Sequence, residues 1–114
     1  MSFIDTPTLS LLQRYLDLTA FRQGLVASNV ANVDTPGYRT RDVDFQAELQ
    51  RAQEAGPQVE EVPGLVERPD GNNVSLDREG LLLAQTQLQF RVGVQLARVE
   101  FRRLLTAINE GRQG

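Results

Sequence analysis

The sequence contains no cysteine and no histidine among its 114 residues. Without cysteine there is no disulfide framework, no thiolate nucleophile and no zinc knuckle. Without histidine, the commonest general base and metal ligand is missing as well. Catalysis would have to rest on carboxylates alone. We therefore predict that the chain is not an enzyme, binds no metal or cofactor and has no small-molecule substrate.

Lysine and long hydrophobic runs are also absent. All twelve basic residues are arginine, and fifteen acidic residues outnumber them, which gives a net charge of −3. This balance argues against a phosphate-binding surface, so nucleic acid is not an expected partner. No apolar stretch reaches the roughly 20 residues that a membrane helix needs. The N-terminus lacks the basic and apolar regions of a secretory signal, and we expect no cleavable signal peptide.

What the sequence does contain is two long helical patterns separated by a turn-rich segment. We predict one domain, with an N-terminal helix over residues 8–34, a middle segment over residues 35–73 and a C-terminal helix over residues 75–109. The expected fold is mainly α, the two terminal helices packing as a coiled-coil-like pair in either orientation. In the middle segment we predict a short helix from Phe45 to about Ala55 and a loop with a weak hairpin around Pro63-Gly64.

A helix-ending motif lies at residues 27–38. Pro36 has no N–H and disfavours helical geometry before it, and Pro36-Gly37 predicts a type II turn in which Gly37 has a positive φ. Asn29 and Asn32 lie three residues apart on one helix face, where their amides can bond free carbonyls or the returning chain. The candidate residues of this turn motif are Ser28, Asn29, Ala31, Asn32, Thr35, Pro36, Gly37 and Tyr38.

A second turn motif precedes the C-terminal helix. It comprises Asp70, Gly71, Asn72 and Asn73, and Ser75 is the predicted N-cap of the helix that follows. In that helix, apolar side chains recur with the alternating spacing of a coiled-coil seam. The candidate interface residues in this first row are Leu83, Phe90, Val94, Ala97, Phe101, Leu104 and Ile108. A second row consists of Leu81, Leu88, Val92, Leu96 and Val99.

The two rows give the C-terminal helix more apolar surface than one partner helix can cover. The N-terminal helix is also apolar on more than one face, so a monomer would expose a long apolar strip. We therefore predict oligomerisation, with the helices partly disordered until they pack on other subunits. The pattern does not decide which row is intrachain. We expect the acidic pairs Asp42/Asp44 and Glu60/Glu61 to be solvated, since neither has the spacing of a calcium loop.

Both turn motifs resemble the flagellar rod, hook and hook-associated axial family. Residues 27–38 are similar to the family's N-terminal signature, and residues 70–79 with the helix after them are similar to its short proximal rod members. The resemblance covers both terminal helices and both turns, whereas residues 39–69 carry little of it.

The resemblance implies a structural subunit of the proximal rod of the bacterial flagellar basal body. Such a subunit would be exported unfolded through the flagellar type III apparatus and would polymerise into the periplasmic rod that transmits torque. The implied partners are copies of itself, other proximal rod subunits, and adaptor or export-gate proteins at the membrane ring. Two alternatives stay open: another short proximal rod protein of the same family, and a stand-alone helical adaptor that binds a partner helix.

Overall fold

The computed structural model describes residues 6–51 and 56–113. The chain forms α1 (Pro7–Ala31), β1 (Arg41–Asp42), α2 (Phe45–Gln50), β2 (Glu60–Glu61) and α3 (Leu76–Gln113). Helices α1 and α3 pack against each other in antiparallel orientation, and the structure measures 71 × 26 × 19 Å. The predicted fold class, mainly α with two long terminal helices and a short helix between them, is confirmed.

Helix α1 begins one residue before the predicted start at residue 8 and ends earlier than predicted. The Thr6 hydroxyl caps it by accepting a hydrogen bond of 3.1 Å from the Leu9 amide, and Pro7 is its first residue. The helix ends at Ala31, so the predicted boundary at residue 34 is wrong by three residues. Asn32 is its C-cap. The Asn32 side-chain amide donates to the Ser28 carbonyl at 2.8 Å, and beyond it the Val33 and Thr35 amides donate to carbonyls three residues back instead of four. The turn has therefore begun before Pro36 is reached.

The short helix α2 is also shorter than predicted. Asp44 caps its first turn, its carboxylate accepting from the Ala47 amide at 3.2 Å. The helix ends at Gln50 because Arg51 is extended, with ψ 150°, and its guanidinium bonds the Glu48 carboxylate and the Gly56 carbonyl. The predicted end near Ala55 falls in residues 52–55, which lie outside the described residues.

The predicted hairpin around Pro63-Gly64 is wrong. Strand β2 instead pairs antiparallel with β1, in a register that places Arg41 opposite Glu61. The Val62 amide extends this pairing by donating to the Thr40 carbonyl at 3.0 Å. Pro63 and Gly64 then turn the chain away from β1, and Gly64 has a φ of +80°.

Helix α3 starts at Leu76, after a Ser75 cap whose hydroxyl accepts from the Arg78 amide at 3.2 Å. It runs to Gln113, so the predicted end at residue 109 is four residues too early. Gly111 does not break the helix, because a single glycine lowers helix stability by only about 1 kcal/mol. The positive charge of Arg112 also interacts favourably with the negative, C-terminal end of the helix dipole. No helix in the described ranges has both the length and the apolarity of a membrane span.

The side of α3 that faces α1 is largely small or polar. Its buried positions recur at heptad-like spacing and comprise Glu79, Leu82, Thr86, Gly93 and Glu100. The buried positions on α1 are Leu18, Thr19, Val26 and Asn29. Gly93 brings the helices close together, since a Cβ there would lie 2.7 Å from Leu16 Cδ2.

The apolar rows of α3 lie beside or opposite this buried face. In the first row, Val94, Ala97 and Leu104 are half-buried, whereas Leu83, Phe90, Phe101 and Ile108 are exposed. The whole second row is exposed. The first row is therefore not the main intrachain contact, which is centred one residue earlier along the helix.

Candidate functional site

The first turn motif has the geometry that the sequence predicts. The Tyr38 amide donates to the Thr35 carbonyl at 3.2 Å, and Gly37 has a φ of +76°, as a type II turn around Pro36-Gly37 requires. The Thr35 hydroxyl also donates to Asn32 Oδ1 at 3.0 Å. Asn32 thus links the end of α1 to the turn that follows it.

Asn29 is the centre of the corner where α1, β1 and α3 meet. Its side-chain amide donates to the Arg41 carbonyl at 2.9 Å and to Glu79 Oε1 at 2.8 Å. Its oxygen accepts from the Arg41 amide at 3.1 Å and from the Tyr38 hydroxyl at 3.0 Å. All four hydrogen bonds of this buried amide are made, three of them to the returning chain and one to α3.

The second turn motif packs directly on the first. The Asn72 amide nitrogen donates to the carbonyls of Asn32 at 2.9 Å and Thr35 at 2.8 Å, and the Gly37 amide donates to the Asp70 carbonyl at 2.9 Å. Asn72 therefore gives a second hydrogen bond to two carbonyls at the end of α1 and in the turn, each of which also accepts from a main-chain amide.

Asn73 connects the second turn to the segment before β1. Its side-chain oxygen accepts from the Thr40 amide at 2.7 Å, and its main-chain amide donates to the Tyr38 carbonyl at 3.3 Å. The Asn73 Nδ2 atom is buried and has no hydrogen-bond partner within the described part of the chain. Residues 38–40 are thus held on one side by Asn29 and on the other by Asn73.

A charged network that sequence reasoning missed surrounds Asn29. Asp42 receives two hydrogen bonds of 2.9 Å from the Arg22 guanidinium and one of 2.6 Å from Arg78 Nη2. Arg78 Nη1 also donates to Glu79 Oε2 at 2.9 Å. The network ties α1, β1 and the first turn of α3 together, and Glu79 joins it to Asn29.

The expectation that Asp42 is solvated is wrong, since only 6% of the residue is exposed. Burial alone would raise the pKa of Asp42. The hydrogen bonds from Arg22, the Val43 amide and Arg78 outweigh burial, and the pKa is lowered from its ordinary value. Asp44, Glu60 and Glu61 are exposed as expected.

One sequence signal could have pointed to this network. Arg22 is spaced three to four residues from Leu18 and Leu25 on an otherwise apolar face of α1. A charged residue in an apolar row indicates a buried partner, but nothing local identifies that partner as Asp42, twenty residues further on.

The structure brings the two turn motifs into one joint and leaves the helix row outside it. Ser28 lies at its edge, with its hydroxyl 3.4 Å from the Tyr38 hydroxyl, while Ala31 and Pro36 are exposed. Within the described residues, no group of three or more acidic side chains could hold a metal ion. The polar groups of the joint bond one another, which is an arrangement that fixes the direction of the chain.

Comparison with known proteins agrees with the resemblance of the motifs. The family model described as "Flagella basal body rod protein" matches residues 9–39, which hold most of α1 and the first turn. The flagellar basal body rod protein FlgB of Escherichia coli (strain K12) is 29% identical over an alignment that covers 87% of this chain and 91% of that protein.

Two further relatives bear the same name. FlgB of Proteus mirabilis (strain HI4320) is 28% identical, with 91% of this chain and 95% of that protein covered. FlgB of Borrelia hermsii is 49% identical over a shorter alignment that covers 40% of this chain and 33% of that protein. The family model and these three relatives thus agree, and this chain is similar to flagellar basal body rod proteins.

Proposed function

We propose that this chain is a subunit of the proximal rod and that it assembles through the outer faces of its long helices into the axis that transmits torque. Its similarity to flagellar basal body rod proteins supports a structural role in the flagellar basal body and assembly with other rod subunits. The proposal adds self-assembly, a position in the proximal rod, export by the type III route without a cleavable signal, and contact with adaptor or export-gate proteins at the membrane ring.

The observation that carries the proposal is the distribution of side chains on α3, which has polar and small residues on its buried face and apolar residues on its exposed faces. The helix buries polar or small residues such as Glu79, Thr86 and Gly93 against α1, while both of its apolar rows are partly or wholly exposed. Helix α1 likewise exposes Leu11, Phe21 and Val30. Contiguous apolar surface of this kind is typical of an interface, so the outer faces of both helices are expected to be buried between subunits.

A substitution on the second row tests the proposal. Val92 is 45% exposed, and we expect Val92→Glu to abolish swimming in cells that depend on this chain, because a charge would be buried between subunits. The matched control is Ala84→Glu. Ala84 is exposed on the side of α3 that carries Arg91, seven residues further on.

Both variants should accumulate in cells to the level of the unaltered chain, since each places glutamate at an exposed helical position. Normal swimming with Val92→Glu would contradict the proposal. If the chain is instead a stand-alone adaptor, the purified chain should bind one partner helix at a saturable site and should not form larger assemblies.

A further inference from the structure

The charged residues are separated along the long axis of the molecule. Residues 34–79 contain eleven acidic and five basic residues, a net charge of −6, whereas residues 80–114 contain five arginines and two glutamates, a net charge of +3. Strand β2 and the two turns of the acidic segment lie near the corner, whereas α3 runs away from the corner and carries most of these arginines toward its far end.

An open groove lies in the basic half, between the beginning of α1 and the C-terminal half of α3. Its volume is about 720 Å³. Its apolar lining consists of Leu9, Leu16, Val94, Ala97 and Phe101. Arg98 and Arg102 line it as well, and no carboxylate among residues 6–51 and 56–112 forms a salt bridge with either guanidinium. The groove thus has an apolar lining beside two arginines that have no carboxylate partner in the described part of the chain.

The loop after β2, in the acidic half, has the complementary chemistry. Val66 is 89% exposed, the highest exposure of any large hydrophobic side chain in the described residues. Glu67 follows it and makes only a surface ion pair of 3.3 Å with Arg39. Glu60 and Glu61 are exposed, and neither has an ion pair with any described residue. An exposed apolar side chain and three exposed carboxylates therefore lie within residues 60–67.

We propose that the loop of residues 60–67 docks into this groove on a second copy of the chain. Val66 contacts the apolar lining, and the glutamates of the loop approach Arg98 and Arg102. The loop cannot reach the groove of its own chain. Strand β1, which pairs with the start of the loop, is bonded to α1 at Arg22, whereas the groove extends to Leu9, more than ten residues or about 15 Å back along the helix. This inference rests on the proposed function, since it names one of the surfaces through which copies meet.

The contact joins two different surfaces, so each copy keeps a free loop and a free groove. Such a heterologous contact continues from copy to copy as a ring or an open helical array, whereas a two-fold contact would stop at a dimer. The charges chiefly select partner and direction, because exposed ion pairs add little affinity.

Cysteine cross-linking in swimming cells tests the contact, and the absence of natural cysteine makes it specific. We expect cells that produce both Val66→Cys and Ala97→Cys chains to yield, after mild oxidation, a disulfide-linked species of twice the chain mass. Each variant alone should give at most a trace. The pair Val66→Cys and Ala84→Cys is the control, because Ala84 is exposed on α3 outside the groove, and its yield should be severalfold lower.

Charge exchange provides the second measurement. Glu60→Arg with Glu61→Arg should lower the cross-linking yield severalfold, and Arg98→Glu with Arg102→Glu in the Ala97→Cys chain should restore it. Arg91→Glu, on the same helix outside the groove, should not restore it.

Failure of the inference can be told apart from failure of the proposed function. If swimming cells give no Val66–Ala97 product, or if Ala97→Cys is trapped by a protein of another mass, the loop-and-groove contact is wrong. In that case loss of swimming with Val92→Glu would still support the rod role. If Val92→Glu also swims normally, the proposed function fails as well.

Discussion

Asn29 makes four hydrogen bonds at a position where water cannot replace them. We expect Asn29→Ala to lower the free energy of unfolding by about 3 kcal/mol, because Glu79 Oε1 and the Arg41 amide lose their partner. Asn32→Ala is the control, and it should cost at most about 1 kcal/mol, because the side chain of Asn32 is more accessible to water. Urea unfolding measures the free energy of unfolding of both variants. It is done at a protein concentration above which the helix content no longer rises. Equal losses would contradict the central role of Asn29.

Asp42 makes stability depend on pH at the acid end. Its pKa is lowered in the folded chain, so its contribution is fully present above the ordinary value of about 3.8 and is lost as pH falls through the folded pKa. We expect Asp42→Asn to destabilise the chain at pH 7 by about 3 kcal/mol, because Arg22 and Arg78 lose their shared counter-charge. Below pH 4 the difference between variant and natural chain should shrink. A constant difference from pH 7 to pH 2 would rule out this account.

At the scale of the elements, two glycines of α3 should respond oppositely to alanine. A Cβ at Gly80 meets nothing within 4 Å, so Gly80→Ala should raise stability by up to about 1 kcal/mol through helix propensity. At Gly93 a Cβ would lie 2.7 Å from Leu16 Cδ2 and 3.1 Å from Tyr15 Cδ1, and the Tyr15 ring is packed edge-on against Phe45.

Gly93→Ala should therefore lower stability by about 1 kcal/mol, because overpacking at the helix crossing outweighs the gain in propensity. Paired thermal melts, followed by circular dichroism, compare the two variants. A rise in melting temperature for both would mean that α1 and α3 can separate at the crossing without cost.

For the whole molecule, the small core and the exposed rows predict that order depends on association. Its buried hydrophobic residues are Leu18, Val26, Val43, Val74 and Leu82. We expect the helix content and the melting temperature of the purified chain to rise with concentration, because assembly stabilises the folded form by mass action. Circular dichroism over a hundredfold dilution series would show this. A sharp, concentration-independent melt of a fully helical monomer would contradict it.

The parts of the fold that were predicted correctly depend on residues within about four positions of one another. The Ser75 cap and the turn at Pro36-Gly37 are of this kind. The errors arise where a distant residue competes with a local signal. Strand β2 pairs with β1, whose partner residues lie eighteen and twenty positions earlier, instead of forming a hairpin at Pro63.

The sequence by itself determined that this chain has two long helices, two turn motifs and more apolar surface than one helix pair can bury, because periodicity, capping and proline geometry are local properties. Only the tertiary structure decided which side of α3 faces inward. That rotation accompanies the contact of Asn29 with Glu79, fifty residues apart, and the pairing of Asp42 with both Arg22 and Arg78. Buried polar groups need hydrogen-bond partners, and here these partners lie far away in the chain. The rotation of α3 that allows these bonds leaves its apolar rows on the outside.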